Sequence, residues 1–487
     1  MIKNNGKFKR KLGLCECITI TVGTVIGVGL FTVGANVVGI LGPAVMLATL
    51  VSLLISIYPS MLYAEMASVI PYSGGTYTYA VIGLGRPAGM LAGWNFIIST
   101  VAVSSAEAMA FSFYIRTLLN ELNIDLHLSD RFIACAIILI FTLLNVFGVG
   151  LTGKLQNGFM FFFWGITAIW IFNMIPNLNI GNFSSNYQPW NVSLESFLKC
   201  TAMVWWCFAG FETCSAMGGE VKKPKVNIPR ALLLSPFIVY IVNSLFQWVL
   251  ICIVPKAELS AIADAAAPYA EGMKLAGLIG FPLILLCLGI TFGGDFSTLN
   301  AGISAQARYL YKMSSDGAVP LIFSKIHTKF GTPYISALFL GMIMLLLVST
   351  GSIIYIASLS LFSTLLYYII GMLSAWGLRF RYPKIERPYK APVIKVFLPV
   401  SLVIYLFMMT FLDYGAIILG ILWSVCGILI YFFYSKKHFR QPQLIDEKYV
   451  RTGVKNKPNR EYKIISIIVY LLAFAVFLLF IISCFFN

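Results

Sequence analysis

The chain has 487 residues, of which 59% are hydrophobic and 11% charged; so few charges cannot clothe a water-exposed surface, which excludes a soluble enzyme. Aromatic residues at 15% exclude a disordered chain, and the long continuous apolar runs exclude the short alternating segments of a membrane barrel. The net charge of +16, from 35 Lys and Arg against 19 Asp and Glu, has no basic aromatic module behind it of the kind that binds nucleic acid. It comes from basic loops between apolar runs, so the expected class is an all-α polytopic membrane protein whose setting is the lipid bilayer.

A bilayer core takes about 20 apolar residues per helix. That rule places spans near 15–38, 43–68, 88–114, 132–150, 156–176, 196–218, 231–254, 276–307, 334–350, 352–378, 396–412, 415–434 and 464–486, about thirteen in all. The segment 276–307 is too long for a simple span and is interrupted at Gly293-Gly294. The basic N-terminus (Lys3, Lys7, Lys9, Arg10, Lys11) leads into a run without a small-residue cleavage site, so the run is expected to be a first span rather than a signal peptide. With the N-terminus in the cytoplasm, 30 of the 35 basic residues fall on the inner side, and Arg116, Arg131, Lys199, Lys256 and Lys274 fall outside. An odd number of spans then puts Asn487 outside. The expected organisation is a cytoplasmic tail 1–14, a transport core 15–378 of ten helices, two accessory helices in 396–434, a basic cytoplasmic linker 435–463 and an extra helix in 464–487.

Two spans carry interruptions. The first contains Gly23-Thr24-Val25-Ile26-Gly27-Val28-Gly29, and the sixth contains Cys207-Phe208-Ala209-Gly210-Phe211-Glu212. Glycine favours local unwinding, and unwound backbone at membrane depth is tolerated only in protein or along a cavity. Freed N–H groups suit a carboxylate and freed carbonyls suit an ammonium. A pair of broken helices five spans apart is the sign of a five-plus-five inverted repeat. The competing reading of Gly27 and Gly29 is close helix packing through small residues.

Acidic residues inside spans are costly and mark pathways or buried pairs. Glu212 is read as a gate or proton-sensitive group, or as a hydrogen-bonding partner of a neighbouring helix. Glu65 lies near a cytoplasmic end, Glu107 within the third span, and Asp295 directly after Gly293-Gly294. Asp295 is expected either to face a cationic substrate or to pair with a helix end or neighbouring side chain. Trp205 and Trp206 precede the second break, where one of them can wall the pocket and act as a gate. Ser104 and Ser105 either line the same cavity or bond to their own helix. Cys15 and Cys17 form a pair without the second pair a zinc site needs, and the other cysteines are read as apolar packing. No metal or cofactor is expected. His127, His327 and His438 fall in loops, so no catalytic constellation is expected, and no phosphate loop is present to use ATP.

The run Thr24 to Phe31 resembles the first-helix signature of the amino acid–polyamine–organocation superfamily. Phe208 to Glu212, Gly219-Glu220-Val221-Lys222-Lys223-Pro224 and Asn227-Ile228-Pro229-Arg230-Ala231 resemble its sixth helix and following loop. Pro71 to Tyr77 is similar to the loop after the second helix. Ala307 to Met313, with Asp316-Gly317 and Pro320, is similar to the loop after the eighth. The resemblance implies the leucine-transporter fold, alternating access and a secondary or exchange transporter of amino acids in a plasma membrane. It implies a substrate site at Val25, Ile26, Gly27, Val28, Gly29, Trp206, Cys207, Ala209 and Gly210. There the substrate carboxylate meets the N–H groups of Val28 and Gly29, and the amine meets carbonyls of Val25, Trp206 and Ala209. It makes Trp206 an aromatic gate and Glu212 a gate or coupling acid. Asp295 joins the gate-or-coupling set on its buried position alone. Proton-coupled relatives carry a fifth-helix lysine where this chain has Phe163, which favours exchange, facilitated uptake or another proton carrier. A neutral amino acid is the leading substrate expectation; a cationic amino acid or polyamine, favoured by Glu107 and Asp295, is the alternative. A nutrient receptor signalling through the 435–463 linker is a third reading.

Overall fold

The computed structural model describes residues 10–147, 149–182, 192–350 and 353–439. The expected last helix, most of the basic linker and the first nine residues lie outside the described residues. The described chain is helical, and its pairing of extended backbone is a single bridge between Leu12 and Val221. Seven helical stretches among the described residues are long and apolar enough to cross a membrane, and Leu14–Val25, Tyr334–Thr350 and Ile394–Met409 are shorter apolar helices. The molecule is therefore a multi-pass membrane protein.

Helix α1 (Leu14–Val25) stops at Ile26, whose φ of −82° and ψ of 87° leave the helical region. A π-helical turn Gly29–Gly34 resumes the path into α2 (Ala35–Leu41), so the first expected span is two half-helices. Then follow α3 (Val45–Val69), α4 (Gly75–Gly83), α5 (Arg86–Glu121), α6 (Asp130–Val146) and α7 (Val149–Met174). The sixth expected span is likewise split, into α8 (Leu194–Trp206) and the short α9 (Thr213–Ala216). Gly210, at φ +102°, supplies the left-handed backbone that a residue with a Cβ resists.

After α10 (Pro224–Ile253) and α11 (Pro268–Leu275), helix α12 (Phe281–Leu288) passes through a π-helical turn Gly289–Asp295 into α13 (Phe296–Ser315). The expected span 276–307 thus begins later and ends later. Gly277 and Gly280, both at φ +71°, hold a turn before Phe281, and α13 continues past the membrane pattern on a polar face. Helices α14 (Tyr334–Thr350), α15 (Ile353–Arg381), α16 (Ile394–Met409) and α17 (Tyr414–Ile430) complete the set. Beyond α17 a π-helical turn Tyr431–Ser435 and a last turn to His438 extend helix into the stretch read as linker.

Helix α3 lies along α10, α5 lies along α15, and α1 packs on α7, α10 and α13. Buried side chains form two clusters. One joins α3, α4, α5, α13 and α15; the other gathers around Phe31, Phe163, Trp170, Phe246 and Tyr269 beside α2 and α7. In the second, Phe163 stacks on Phe246 at 6.0 Å and Phe31 meets both edge-on at 5.7 and 5.5 Å. Such pairs are worth about 0.5–1.5 kcal/mol each beyond the area they bury.

Candidate functional site

The two helix breaks face each other. Gly29 brings them into contact: a Cβ there would sit 3.4 Å from Cys207 Cα. A Cβ on Gly210 would sit 3.3 Å from Thr24 Cγ2. The Cys207 thiol donates to the Gly29 carbonyl at 3.0 Å, tying one break to the other. Around this crossing is a cavity of about 40 Å³ lined by Val25, Gly27, Val28, Gly29, Trp206, Ala209 and Gly210, together with Ser104, Glu107, Glu212, Thr298 and Tyr367. It has room for a few waters; an amino acid needs side chains to move apart.

At the first break, Thr298 of α13 donates its hydroxyl to the carbonyls of Gly23 at 2.8 Å and Ile26 at 3.1 Å. The Gly27 N–H turns back to the Val25 carbonyl at 3.1 Å. The Val28 N–H, one of the two donors that the resemblance implies for a substrate carboxylate, instead donates to Glu107 Oε2 at 2.7 Å. A carboxylate of the protein thus occupies the donor that the resemblance implies for a substrate. Gly27 permits it, because a Cβ there would collide with Glu107 and Thr298 side-chain oxygens.

At the second break, the N–H groups of Cys207, Phe208 and Ala209 fold back onto Val204, Trp205 and Trp206 carbonyls at 2.9, 2.8 and 3.0 Å. Gly210 N–H reaches Tyr368 Oη at 2.9 Å. Glu212 is fully buried and accepts from Tyr367 Oη at 2.7 Å and from Tyr368 Oη. The hydrogen-bonded reading of Glu212 therefore has its partners on α15, while the side chain also lines the cavity. Trp206 lines the cavity and donates Nε1 to Ser360 Oγ at 3.3 Å; Trp205 turns away to pack on Tyr368 and Tyr405.

Ser104 lines the cavity. Ser105 does not; it donates to the Val101 carbonyl at 2.8 Å. Asp295 sits in the π-helical turn, fully buried, outside the cavity lining and against Glu107. Cys207 ties the breaks without lining the cavity. Glu65 belongs elsewhere: it takes Arg379 at 2.5 Å, Arg387 at 3.2 Å and the Ala391 N–H at 2.8 Å, pinning the loop after α15. Among the described residues no group of three or more His, Cys, Asp or Glu is placed to hold a metal.

Tyr367, Tyr368 and Thr298 were not expected at the site. The only mark they leave in sequence is polarity inside an apolar span, which Thr298 shares with many packing residues. A further feature is the buried ion pair of Arg308 Nε and Glu220 Oε2 at 2.9 Å. Arg308 also donates to the Ser304 carbonyl and hydroxyl at 2.7 Å. Burial pushes the Glu220 carboxyl above the usual carboxylate range, and the Arg308 guanidinium works against it. Beside it, Lys11 and Leu12 N–H groups donate to the Glu220 carbonyl at 2.8 and 3.1 Å, so the chain before α1 is stitched to the loop after α9.

Comparison with known proteins places these features in one family. Residues 12–445 match the amino acid permease family model. The chain is 26% identical over 449 residues to a branched-chain amino acid permease of Bacillus subtilis, covering 89% of this chain and 95% of the relative. It is 26% identical over 445 residues to a methylthioribose transporter of the same organism, covering 88% and 94%. To cationic amino acid transporter 5 of Arabidopsis thaliana it is 28% identical over 376 residues, covering 74% and 64%. These relatives are transporters and permeases rather than enzymes. A multi-pass helical chain with paired broken helices around a buried cavity, matched over most of its length, belongs to the amino acid permease family.

Proposed function

We propose that this permease carries a neutral amino acid across a plasma membrane by alternating access, with the substrate seated between the two helix breaks. The observation that carries this reading is the cavity itself. It is bounded by Val28, Gly29, Trp206 and Gly210, where the backbone of both breaks borders the space and small residues leave room. In the proposed cycle, the bundle holding α1, α2, α8 and α9 rocks against a scaffold of the remaining core helices, as in inverted-repeat carriers. Trp206 closes over the substrate, and the Arg308–Glu220 pair with the Lys11–Leu12 stitch closes the inner side. Basic loops put the N-terminal side and the 222–230, 308–329 and 379–395 loops in the cytoplasm. The branched-chain relative favours an aliphatic substrate.

A second reading has one observation in its favour. Glu107 and Glu212 line the cavity and no basic side chain does, which suits a cationic amino acid or amine.

Counterflow in proteoliposomes tests both. Vesicles loaded with unlabelled leucine, arginine, agmatine or methylthioribose are followed for entry of the matching radiolabel. Labelled leucine accumulation is the expected result. Accumulation of arginine or agmatine alone replaces the neutral reading with the cationic one. Binding by thermal shift without flux overturns transport in favour of a receptor.

A further inference from the structure

Glu107 and Asp295 form a carboxyl pair behind the first helix break. Glu107 is on α5; Asp295 closes the π-helical turn between α12 and α13, and both are wholly buried. Glu107 gives Oε2 to the Val28 N–H at 2.7 Å. Its Oε1, and both oxygens of Asp295, receive no hydrogen bond from any donor among the described residues. The two carboxyls lie within hydrogen-bonding reach of each other.

Two ionised carboxylates are acceptors only, so facing each other in a buried place they repel and leave every free lone pair unsatisfied. One added proton converts that repulsion into an O–H···O bond, and the pair then titrates as a unit. Among the described residues no cation pairs with either carboxyl. The first span between residues 18 and 38, and α7 between residues 155 and 174, contain no titratable side chain. Phe163 of α7 fits against Gly293, with its Cβ 2.6 Å from where a Cβ on Gly293 would stand. The other titratable groups around the pair carry no cation and are bonded elsewhere, packed in apolar surroundings or across the cavity. Tyr114 donates to the Phe31 carbonyl at 2.6 Å, Cys287 is buried two residues before the π-helical turn, and Tyr367 donates to Glu212.

We propose that Glu107 and Asp295 together bind one proton, and that this proton drives transport. The proposal rests on the transport reading above. Glu107 connects the pair to the site, because it lines the cavity and holds the Val28 N–H. A proton arriving through the cavity binds a carboxylate lone pair and leaves the pair with one negative charge instead of two. An ionised carboxylate accepts a hydrogen bond more strongly than a neutral carboxyl, so protonation loosens Glu107 from Val28. The same step removes negative charge from the place where a substrate carboxylate would take over that N–H. Proton and substrate carboxylate therefore bind together and travel in the same direction. Release of the substrate inside restores the Glu107–Val28 bond and lowers the affinity for the proton, which leaves by the same cavity.

The test uses the full chain in proteoliposomes, with radiolabelled leucine and the membrane potential clamped. A one-unit pH gradient, alkaline inside, supports about tenfold accumulation if one proton moves with each substrate. Wild type is expected to approach that ratio, and Asp295→Asn to fall to about equal concentrations inside and out. Glu107→Gln, which keeps an acceptor for Val28, is expected to behave like Asp295→Asn, and Asp295→Glu to restore part of the accumulation. Leucine counterflow in wild type with accumulation indifferent to the gradient overturns the proposal and leaves the transport reading standing. Absence of counterflow overturns the transport reading and the coupling with it. Difference infrared spectroscopy needs no substrate: wild type is expected to show a protonated-carboxyl band that grows as pH falls and that Asp295→Asn and Glu107→Gln each alter. A band unaltered by both substitutions overturns proton binding by the pair, whatever the flux.

Discussion

The Val28 N–H and the Glu107 carboxylate meet at 2.7 Å inside the first helix break. A donor freed by unwinding is thereby kept satisfied without substrate, and the break is held open by a side chain from another helix. Glu107→Ala removes the acceptor and leaves a buried N–H unpaired, which costs about 1–3 kcal/mol. Thermal unfolding in detergent is expected to show that loss. Glu107→Gln, with an amide oxygen in the same place, is expected to recover most of the stability. Equal unfolding temperatures for Glu107→Ala and wild type sink this assignment.

Gly29→Leu is expected to abolish binding while leaving the protein soluble in detergent and monodisperse. The space beside Gly29 is bounded by Cys207 Cα at 3.4 Å from an added Cβ and by the Trp206 ring at 3.8 Å. A Cβ alone is tolerated there, but a leucine side chain extends into the cavity. Binding measured by thermal shift with leucine decides it; normal affinity in the folded variant removes the substrate from the breaks.

Trp206 walls the cavity with one weak polar anchor, Ser360 at 3.3 Å. Most of its contribution is therefore the ring, so Trp206→Phe is expected to keep near-normal affinity. Trp206→Ala is expected to weaken half-saturation about tenfold, or about 1.4 kcal/mol. Concentration-dependent counterflow of both variants measures this, and equal losses in both point to the Ser360 bond instead.

The breaks were legible in sequence because glycine marks them: unwinding in lipid needs a residue that resists helix, and Gly27, Gly29 and Gly210 stand where the backbone turns. Their surroundings were less legible. Ser104 and Ser105 are neighbours in sequence, but at 3.6 residues per turn they point in directions about 100° apart, and only packing decides which faces the cavity. Glu212 was visible as an expensive residue, yet its partners Tyr367 and Tyr368 come from α15, far along the chain. Val28 and Glu107 are a similar case: a donor expected to wait for substrate is taken by an acid whose position depends on how α5 lies against α1. Helix ends were blurred where polar helix continues beyond the apolar pattern, as α13 does past residue 307.

The Arg308–Glu220 pair is buried on both sides, at 1% and 0% side-chain exposure. Removing one member strands the other charge, which costs about 3–5 kcal/mol, whereas replacing both with apolar residues is often neutral. Glu220→Ala is therefore expected to lower the unfolding temperature sharply, and Glu220→Leu combined with Arg308→Met to restore much of it. A double variant as unstable as the single one shows that the pair contributes more than charge compensation.

Sidedness rests on the basic loops, and two exposed positions test it. Asp125 lies in the loop between α5 and α6 with 78% of its side chain exposed, and Lys384 is exposed in the loop after α15. The reading puts Asp125 outside and Lys384 inside. Single Asp125→Cys and Lys384→Cys variants are made in a chain whose exposed Cys15 and Cys426, and Cys484 near the chain end, are replaced by serine. An impermeant maleimide added to intact cells is expected to label Asp125→Cys at once and Lys384→Cys only after the membrane is opened. The buried ion pair and the Lys11–Leu12 stitch lie with the basic loops, so this result also decides which side they close. Labelling in the reverse order inverts the molecule and makes that closure the outer one. The proton proposed for Glu107 and Asp295 would then have to approach from the opposite side.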